Sequence, residues 1–423
     1  MKLSFFILTL LTTIATYGSE SLNFSEITFV GNSKTKEYVL LNELNFSVNQ
    51  DITQEDLKGG IENLRNTNLF SSVDFTIQEK ENRKILTVKV AERWTTIPIF
   101  KVASGGGVSQ ITLGLFDPNL FGHFLEAGAQ YQKLGDTNSG VAWFKNPRLF
   151  GKRNGIDVQF WKTDRIRTKY KQDSDEPVEI NGFLHSRDKF YLGYTKEWHR
   201  KLKGRVFYEY NKDSFSDRFV TDEIKAIINT IGLPPETQFH FAGIGVDLGL
   251  INFNNYLVDG SLFSADYRYA LSENPNIKNF SQIDLNYRYY KTIFKDHTFA
   301  QRFMAGVTTT KTLQYWYYLG GLDRIRGFSD NRFAGNHFFL SNSEWRAPVW
   351  KSDWLVAQGV AFFDITSSAE TFKDMFSIDG ASVGGGARFI LPKVYRFVLR
   401  FDYAKPLKAN DEMNLSFGVQ QFF

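Results

Sequence analysis

From Trp94 to the last residue, hydrophobic positions recur with a period of two. Ile283, Leu285, Tyr287 and Tyr289 alternate with Asp284, Asn286, Arg288 and Tyr290, and Phe397, Leu399, Phe401 and Tyr403 alternate with Arg396, Val398, Arg400 and Asp402. One face is apolar and the other carries charge in mid-strand, which suits lipid outside and a wet lumen inside. A soluble sandwich also keeps one wet face per sheet, so single strands do not decide between the two. Counting does. Between residues 97 and 423 there are about sixteen such segments of about ten residues each, an even number and the length a tilted strand needs to cross a bilayer. The linkers alternate in length. Long ones fall at 164 to 186, 213 to 238, 271 to 279, 310 to 336 and 365 to 380, and between them lie the short turns FDPNLFG, NPRLFGKR, RKLK, FKDH and LPKV. A membrane barrel with long external loops and short periplasmic turns keeps that parity, with both chain ends on the periplasmic side. The expected fold class is therefore mainly β, a transmembrane antiparallel barrel of about sixteen strands over residues 94–423. A helical insert is expected between about 214 and 236.

Residues 22–93 follow a different pattern. Ile27 to Val30 lead into the turn pair Gly31-Asn32, and Val39, Leu40 and Leu44 then share one helical face. Thr53 with Asp56 forms a capping box ahead of a second apolar stripe, Leu57, Ile61, Leu64 and Leu69. Two alternating segments, Val73 to Ile77 and Ile85 to Val90, flank the polar QEKENR turn and read as a hairpin. The order is β-α-α-β-β, a small α+β domain. The first residues, MKLSFFILTLLTTIATYGSE, combine a basic start, an apolar run too short to span a bilayer and small residues near Gly18 and Ser19, so residues 1–19 are expected to be a signal peptide.

Composition narrows the picture further. Aromatics make up 16% of the chain and glycines number 33, a mix that suits many strands, tight turns and aromatic girdles. A formal charge of +4 from 50 basic and 46 acidic residues gives no footprint for nucleic acid. Cysteine is absent, which removes disulfides, thiolate metal sites, a cysteine nucleophile and a lipoprotein anchor. The six histidines show no metal-ligand spacing, and His185 and His199 are expected in loops or at an interface. No G-x-S-x-G is present, and Gly384-Gly385-Gly386 lies in a strand with no helix after it to bind phosphate, so it is read as a bend or a thin wall against which another segment packs. No catalytic residue, metal or cofactor is expected, and the protein is not expected to be an enzyme.

Two groups of residues then carry a resemblance. Gly31-Asn32 with Thr35, Leu69-Phe70 entering Val73, and Val90-Ala91-Glu92 match the pattern of a POTRA domain, in one copy. GGLDRIRGFSDNRFAGN, residues 320–336, resembles the Arg-Gly-Phe loop that BamA-like proteins fold into the barrel lumen, and it falls between the eleventh and twelfth expected strands, as in that family. FDPNLFG at 116–122 and FDYAKPL at 401–407 are similar to further turns of the family, and SFGVQQFF, ending on Phe423, resembles the closing strand of outer-membrane proteins. The chain thus resembles a single-POTRA member of the BamA/TamA superfamily.

The resemblance implies an inward-folded loop over 310–336 with its motif at Gly321, Leu322, Arg324, Ile325, Arg326, Gly327 and Phe328. It also implies that Arg326 pairs with Glu344, and with Asp364 at the end of the thirteenth strand. On the residues alone, SNSEWRAP turns Asn342, Glu344 and Arg346 to the face opposite Trp345, so Glu344 points inward. A guanidinium held off bulk water needs a carboxylate partner, and Gly327 lets the backbone reverse where a Cβ would clash. The family's mechanism places a lateral seam where the first strand, with Gly105 and Gly106, meets the last, with Phe417, Gly418 and Phe423. The implied role is assembly or insertion of outer-membrane proteins through that seam; the alternative is polypeptide secretion through the lumen, as in two-partner transporters. The implied location is the bacterial outer membrane with the POTRA domain in the periplasm. The implied partners are the lipid bilayer, unfolded outer-membrane or secreted polypeptides and periplasmic accessory proteins, with no nucleic acid. In the POTRA domain the motif residues are Gly31, Asn32, Thr35, Phe70 and Glu92.

Overall fold

A computed structural model describes residues 21–423 apart from 82, 106–107, 172–177, 322–323, 409–413, 420 and 422. The expected signal peptide lies outside the described residues, as do Gly106 and Leu322. The N-terminal domain runs β1 (Leu22–Asn23), β2 (Glu26–Val30), α1 (Glu37–Leu44), β3 (Asp51–Ile52), α2 (Gln54–Asn66), β4 (Phe70–Lys80) and β5 (Arg83–Glu92). β5 is the middle strand of a three-stranded sheet, parallel to β2 and antiparallel to β4, while β1 and β3 form a two-residue pair that sequence periodicity is too short to reveal. Leu40, Leu44, Leu57, Ile61 and Leu64 from the helices bury against Leu86, Val88 and Val90 of the sheet. Thr53 caps α2: its hydroxyl accepts from Asp56 N, and the Asp56 carboxylate accepts from Thr53 N at 2.8 Å.

Sixteen strands follow in one antiparallel sheet. They are β6 (Ile97–Gly105), β7 (Val108–Leu120), β8 (Leu125–Leu134), β9 (Thr137–Asn146), β10 (Asn154–Tyr170), β11 (Glu179–His199), β12 (Leu202–Ser216), β13 (Thr237–Asn254), β14 (Leu257–Ser272), β15 (Phe280–Ile293), β16 (His297–Thr308), β19 (His337–Lys351), β20 (Val356–Ala369), β21 (Gly380–Ile390), β22 (Val398–Lys408) and β23 (Asn414–Val419). Between β16 and β19 a long loop carries its own two-stranded ribbon, β17 (Tyr317–Leu319) with β18 (Phe333–Gly335). Each strand pairs with the next in register along the sheet, and the sheet ends on β6 at one side and β23 at the other. The alternation read from the sequence holds: Ile283, Leu285 and Phe303 point outward, while Arg288 and Asp284 line the lumen. At the short-turn end Phe121, Phe150, Trp198, Phe294, Trp350 and Trp354 are exposed, an aromatic girdle of the kind that sits at headgroup level. Among the described residues no helix is long and apolar enough to cross a membrane.

Two expectations need correction. The loop expected at 164 to 186 is mostly strand, because β10 and β11 continue pairing up to Tyr170 and Glu179. The outward row Lys162, Asp188 and Lys212, cross-strand neighbours, marks where the lipid-facing apolar pattern stops while the ladder goes on. The second concerns His185, which is neither in a loop nor interfacial. It is buried on β11, stacks on Phe215, and lies 2.8 Å from Asp213, which also accepts from Arg187, Tyr315 and Thr237. The helix α3 (Asp222–Ile231) sits inside the insert expected to be helical, and Ile224 and Ile228 bury it against the outward side of the β10–β11 extension near Ile166 and Gly182.

The N-terminal domain docks on the short turns. Glu43, on the otherwise apolar face of α1, is buried and grips Arg148 of the NPRLFGKR turn with both oxygens, at 2.5 and 2.8 Å. Arg153 of the same turn binds Glu197 at 2.6 Å. Lys34 reaches Asp117 at 2.6 Å, Asn119 donates to the Thr35 hydroxyl, Arg200 meets Glu62, and Asn66 bonds Asn252. Hydrogen bonds and ion pairs thus tie the domain to four successive turns.

Candidate functional site in the barrel lumen

The loop between β16 and β19 folds into the barrel. Ile325 and Phe328 anchor it in an apolar cluster with Leu319, Phe333, Phe338 and Leu340. Gly321 turns at φ +64°, and Gly327 at φ +87° lies so close to β21 and β22 that a Cβ would come within 3.2 Å of Ala404 Cβ. Between those anchors Arg326, 2% exposed, projects at the barrel wall. Its Nε and Nη2 donate to the two oxygens of Asp364, each at 2.7 Å, its backbone N–H donates to the same carboxylate at 3.3 Å, and Nη1 donates to Glu344. The guanidinium carbon stands 3.6 Å from the centroid of the Phe362 ring, so one face of the cation rests on a π cloud while its edges are hydrogen-bonded.

The carboxylates have further partners. Glu344 accepts from Arg346 Nε at 2.8 Å and from Arg388 at 3.3 Å, and Arg388 in turn lies 2.7 Å from Asp402, which also neighbours Arg400. Four arginines and three carboxylates form one buried knot that joins the loop to β19, β20, β21 and β22. Arg388, Arg346 and Phe362 are members that the sequence reading did not assign to the site. For two of them the available signal is register: Arg346 shares the inward face of its strand with Glu344, and Phe362 shares its own with Asp364. The glycine run explains itself in this setting. A Cβ at Gly384 would strike the Phe362 ring, and one at Gly386 would strike Asp402, so the wall is thin where the knot needs room.

Other marked residues fall in two places. In the N-terminal domain, Gly31 takes φ +95° where a Cβ would run into the Val90 carbonyl, Asn32 Nδ2 donates to Thr35 O at 3.2 Å, and Phe70 is buried. Glu92 accepts from Ser33 N, Lys34 N and Thr35 N at 3.1, 2.8 and 2.6 Å. Partial burial opposes ionisation of Glu92, but these donors outweigh it and hold the carboxyl below its usual range. At the seam, β6 and β23 form no ladder with one another among the described residues, and Ile97, Ile99 and Val419 line a cavity of about 370 Å³ beside them. Gly105 pairs with Val108, Phe417 packs its ring 4.7 Å from Phe401, and Gly418 pairs with Arg400. Phe423 is not on the seam. β23 stops at Val419, and the ring of Phe423 turns into the lumen under Arg302 and Arg346, whose guanidinium carbons lie 5.1 and 5.4 Å from its centroid, while Arg346 Nη2 donates to its carbonyl at 3.1 Å.

Comparison with known proteins agrees with this architecture. Residues 119–423 match the Omp85 superfamily domain, and residues 22–93 match the POTRA family described as the surface antigen variable number repeat. The outer membrane protein assembly factor BamA of Nitratidesulfovibrio vulgaris is 24% identical over 93% of this chain, and the chain spans about half of that relative's length. Among solved structures, CdiB from Acinetobacter baumannii is similar with a TM-score of 0.62 at 14% identity, covering 94% of this chain and 73% of its own. BamA from Haemophilus ducreyi lacking POTRA domains 1-3 is similar with a TM-score of 0.56 at 16% identity, covering 94% and 84%. With one POTRA domain in the periplasm and a nearly closed sixteen-stranded barrel in the outer membrane, the chain belongs to the Omp85 superfamily.

Proposed function

We propose that this protein assembles or inserts outer-membrane polypeptides through the seam between β6 and β23. The observation that carries the reading is the seam itself: among the described residues the hydrogen-bonded ladder ends on β6 at one side and on β23 at the other, and an incoming strand can add to such an edge by β-augmentation. The Arg326 knot supports it by fixing the loop to β19–β22, the strands on the β23 side of the seam. The POTRA domain, clamped to the turns of β7 to β14, carries an edge strand of its own, β4, to which a substrate in transit could add. Accessory proteins of the periplasm would meet its remaining surface.

A second reading, polypeptide secretion through the lumen, is favoured by a cavity of about 700 Å³ inside the barrel. One experiment separates them. Cysteines at Ile99 and Val419, on a background that contains none, are expected to crosslink across the seam and abolish assembly of a substrate barrel in membranes. Full activity with the crosslink complete would replace the seam by the lumen route.

A further inference from the structure

The lumen wall opposite the Arg326 knot carries an excess of cations that the knot does not use. The cavity of about 700 Å³ is lined by six arginines against three aspartates. Four of the arginines have company: Arg205 binds Asp247 and Asp266, Arg268 reaches Asp284, Arg187 binds Asp213, and Arg167 lies over the Tyr318 ring. The other two do not. Arg324, from the lumen loop, donates to the thioether of Met304 at 3.3 Å and meets no carboxylate among the described residues, and Arg288 on β15 likewise has none. Arg288 is moreover the direct cross-strand neighbour of Arg302 on the same inward face, and Arg302 Nη2 lies 3.4 Å from the backbone carbonyl of Arg324. Arg302 is itself engaged, donating to Asn342 Oδ1 at 2.8 Å and facing the Phe423 ring, whereas Arg288 and Arg324 line the cavity. An anion in the cavity between Arg288 and Arg324 would meet two guanidinium groups that no carboxylate among the described residues neutralises.

We infer that the lumen holds a binding site for acidic segments of polypeptide, centred on Arg288 and Arg324. The inference rests on the reading that the protein handles polypeptides, and it adds the chemistry of the segment it takes. Planar guanidinium forks match carboxylates two-point to two-point. The three aspartates in the same wall disfavour a dense polyanion such as a phosphorylated headgroup, and suit a chain in which acidic residues are spaced among neutral or basic ones. Such contacts are salt-screened, strong enough to hold a chain and weak enough to release it.

The test uses the full-length protein in neutral detergent with a fluorescent nonapeptide alternating Asp or Glu with Gly and Ser. Saturable binding is expected, weakened at least about fivefold between about 50 and 300 mM salt, and a Lys-for-acid version of the peptide should not bind. Arg288→Gln and Arg324→Gln are each expected to lower affinity by about fivefold while the barrel keeps its heat-modifiable migration. As a measurement that needs no variant, the peptide should shield Arg288 and Arg324 of the wild type from dicarbonyl modification, read by mass spectrometry. Binding that ignores both substitutions and leaves both arginines reactive overturns the site. So does tight capture of inorganic pyrophosphate with no capture of the peptide, which would assign the cavity to a phosphate ligand. Should the peptide fail to bind while the Ile99–Val419 crosslink still blocks assembly, this inference falls and the proposed function stands; peptide binding with an active crosslinked barrel does the reverse.

Discussion

Arg326 shows how a single side chain can hold a loop against a barrel wall. Its partners are not equivalent. Asp364 is bound two-point by the Nε–Nη2 edge of the guanidinium and by the loop backbone, whereas Glu344, which takes Nη1, also serves Arg346 and Arg388. Removing one member of a buried pair strands the other, at a cost on the order of 3 to 5 kcal/mol. Arg326→Ala, Asp364→Ala and Glu344→Ala are each expected to loosen residues 324–328, read as faster amide exchange there. The double variant of Arg326 with either acid should be little worse than the singles, because contacting sites are not additive. Asp364→Ala should free the loop more selectively, while Glu344→Ala should also disturb Arg346 and, through it, Phe423. Lys at 326 should rescue poorly, since an ammonium cannot make the planar two-point contact with Asp364 while also reaching Glu344. Strictly additive losses would remove the coupled-knot picture. Glu344 was legible in the sequence because strand parity turns it inward, and Arg326 and Asp364 because a motif marks them. Arg388 was not: it follows a glycine run whose parity has no apolar landmark, and its role depends on Asp402, on the next strand.

At the scale of elements, two joints carry the POTRA domain. Within the domain, Glu92 clamps the loop 33–35 that faces the barrel. Its carboxyl is held below the usual range, so the stabilisation is present above the unfolded value of about 4.3 and is lost as pH falls through the folded value. Amide exchange at Lys34 and Thr35, corrected for intrinsic rates, should therefore be slow at neutral pH and accelerate as the pH falls through the lowered folded value of Glu92. Glu92→Gln should show the fast behaviour at both. Between domain and barrel, Glu43→Gln would leave Arg148 buried beside a neutral partner, at about 1 to 3 kcal/mol. Spin labels at cysteines placed at residues 58 and 295 should report a broader distance distribution than in the wild type. An unchanged distribution would show that the remaining contacts suffice. Glu43 had a sequence signal that went unread, a carboxylate in the apolar stripe of α1 between Leu40 and Leu44. The upper halves of β10 and β11 were unreadable for a physical reason: above the lipid both faces of a strand meet water or other protein, so the apolar period ends although the hydrogen-bonded ladder does not.

For the whole molecule, loop parity gave the barrel and its orientation, because that pattern depends on connection lengths rather than on the chemistry of any one strand. The open seam could not be read in the same way, since pairing between the first and last strands leaves no local trace. Epitope tags inserted at residues 225 and 60 should be reached on intact cells only at 225, in α3; access at 60 alone would invert the orientation. The outward profile of the molecule follows from the hairpin of β10 and β11. Beyond the Lys162–Asp188 row these strands continue for eight and nine residues, to Tyr170 and Glu179. At about 3.3 Å per residue and a tilt of about 40°, that is a parapet roughly 20 Å tall on one side of the rim. α3 buttresses it from outside with Ile224 and Ile228. The mouth of the barrel is accordingly lopsided, and a globular particle descending on the cell meets this hairpin well before it meets lipid.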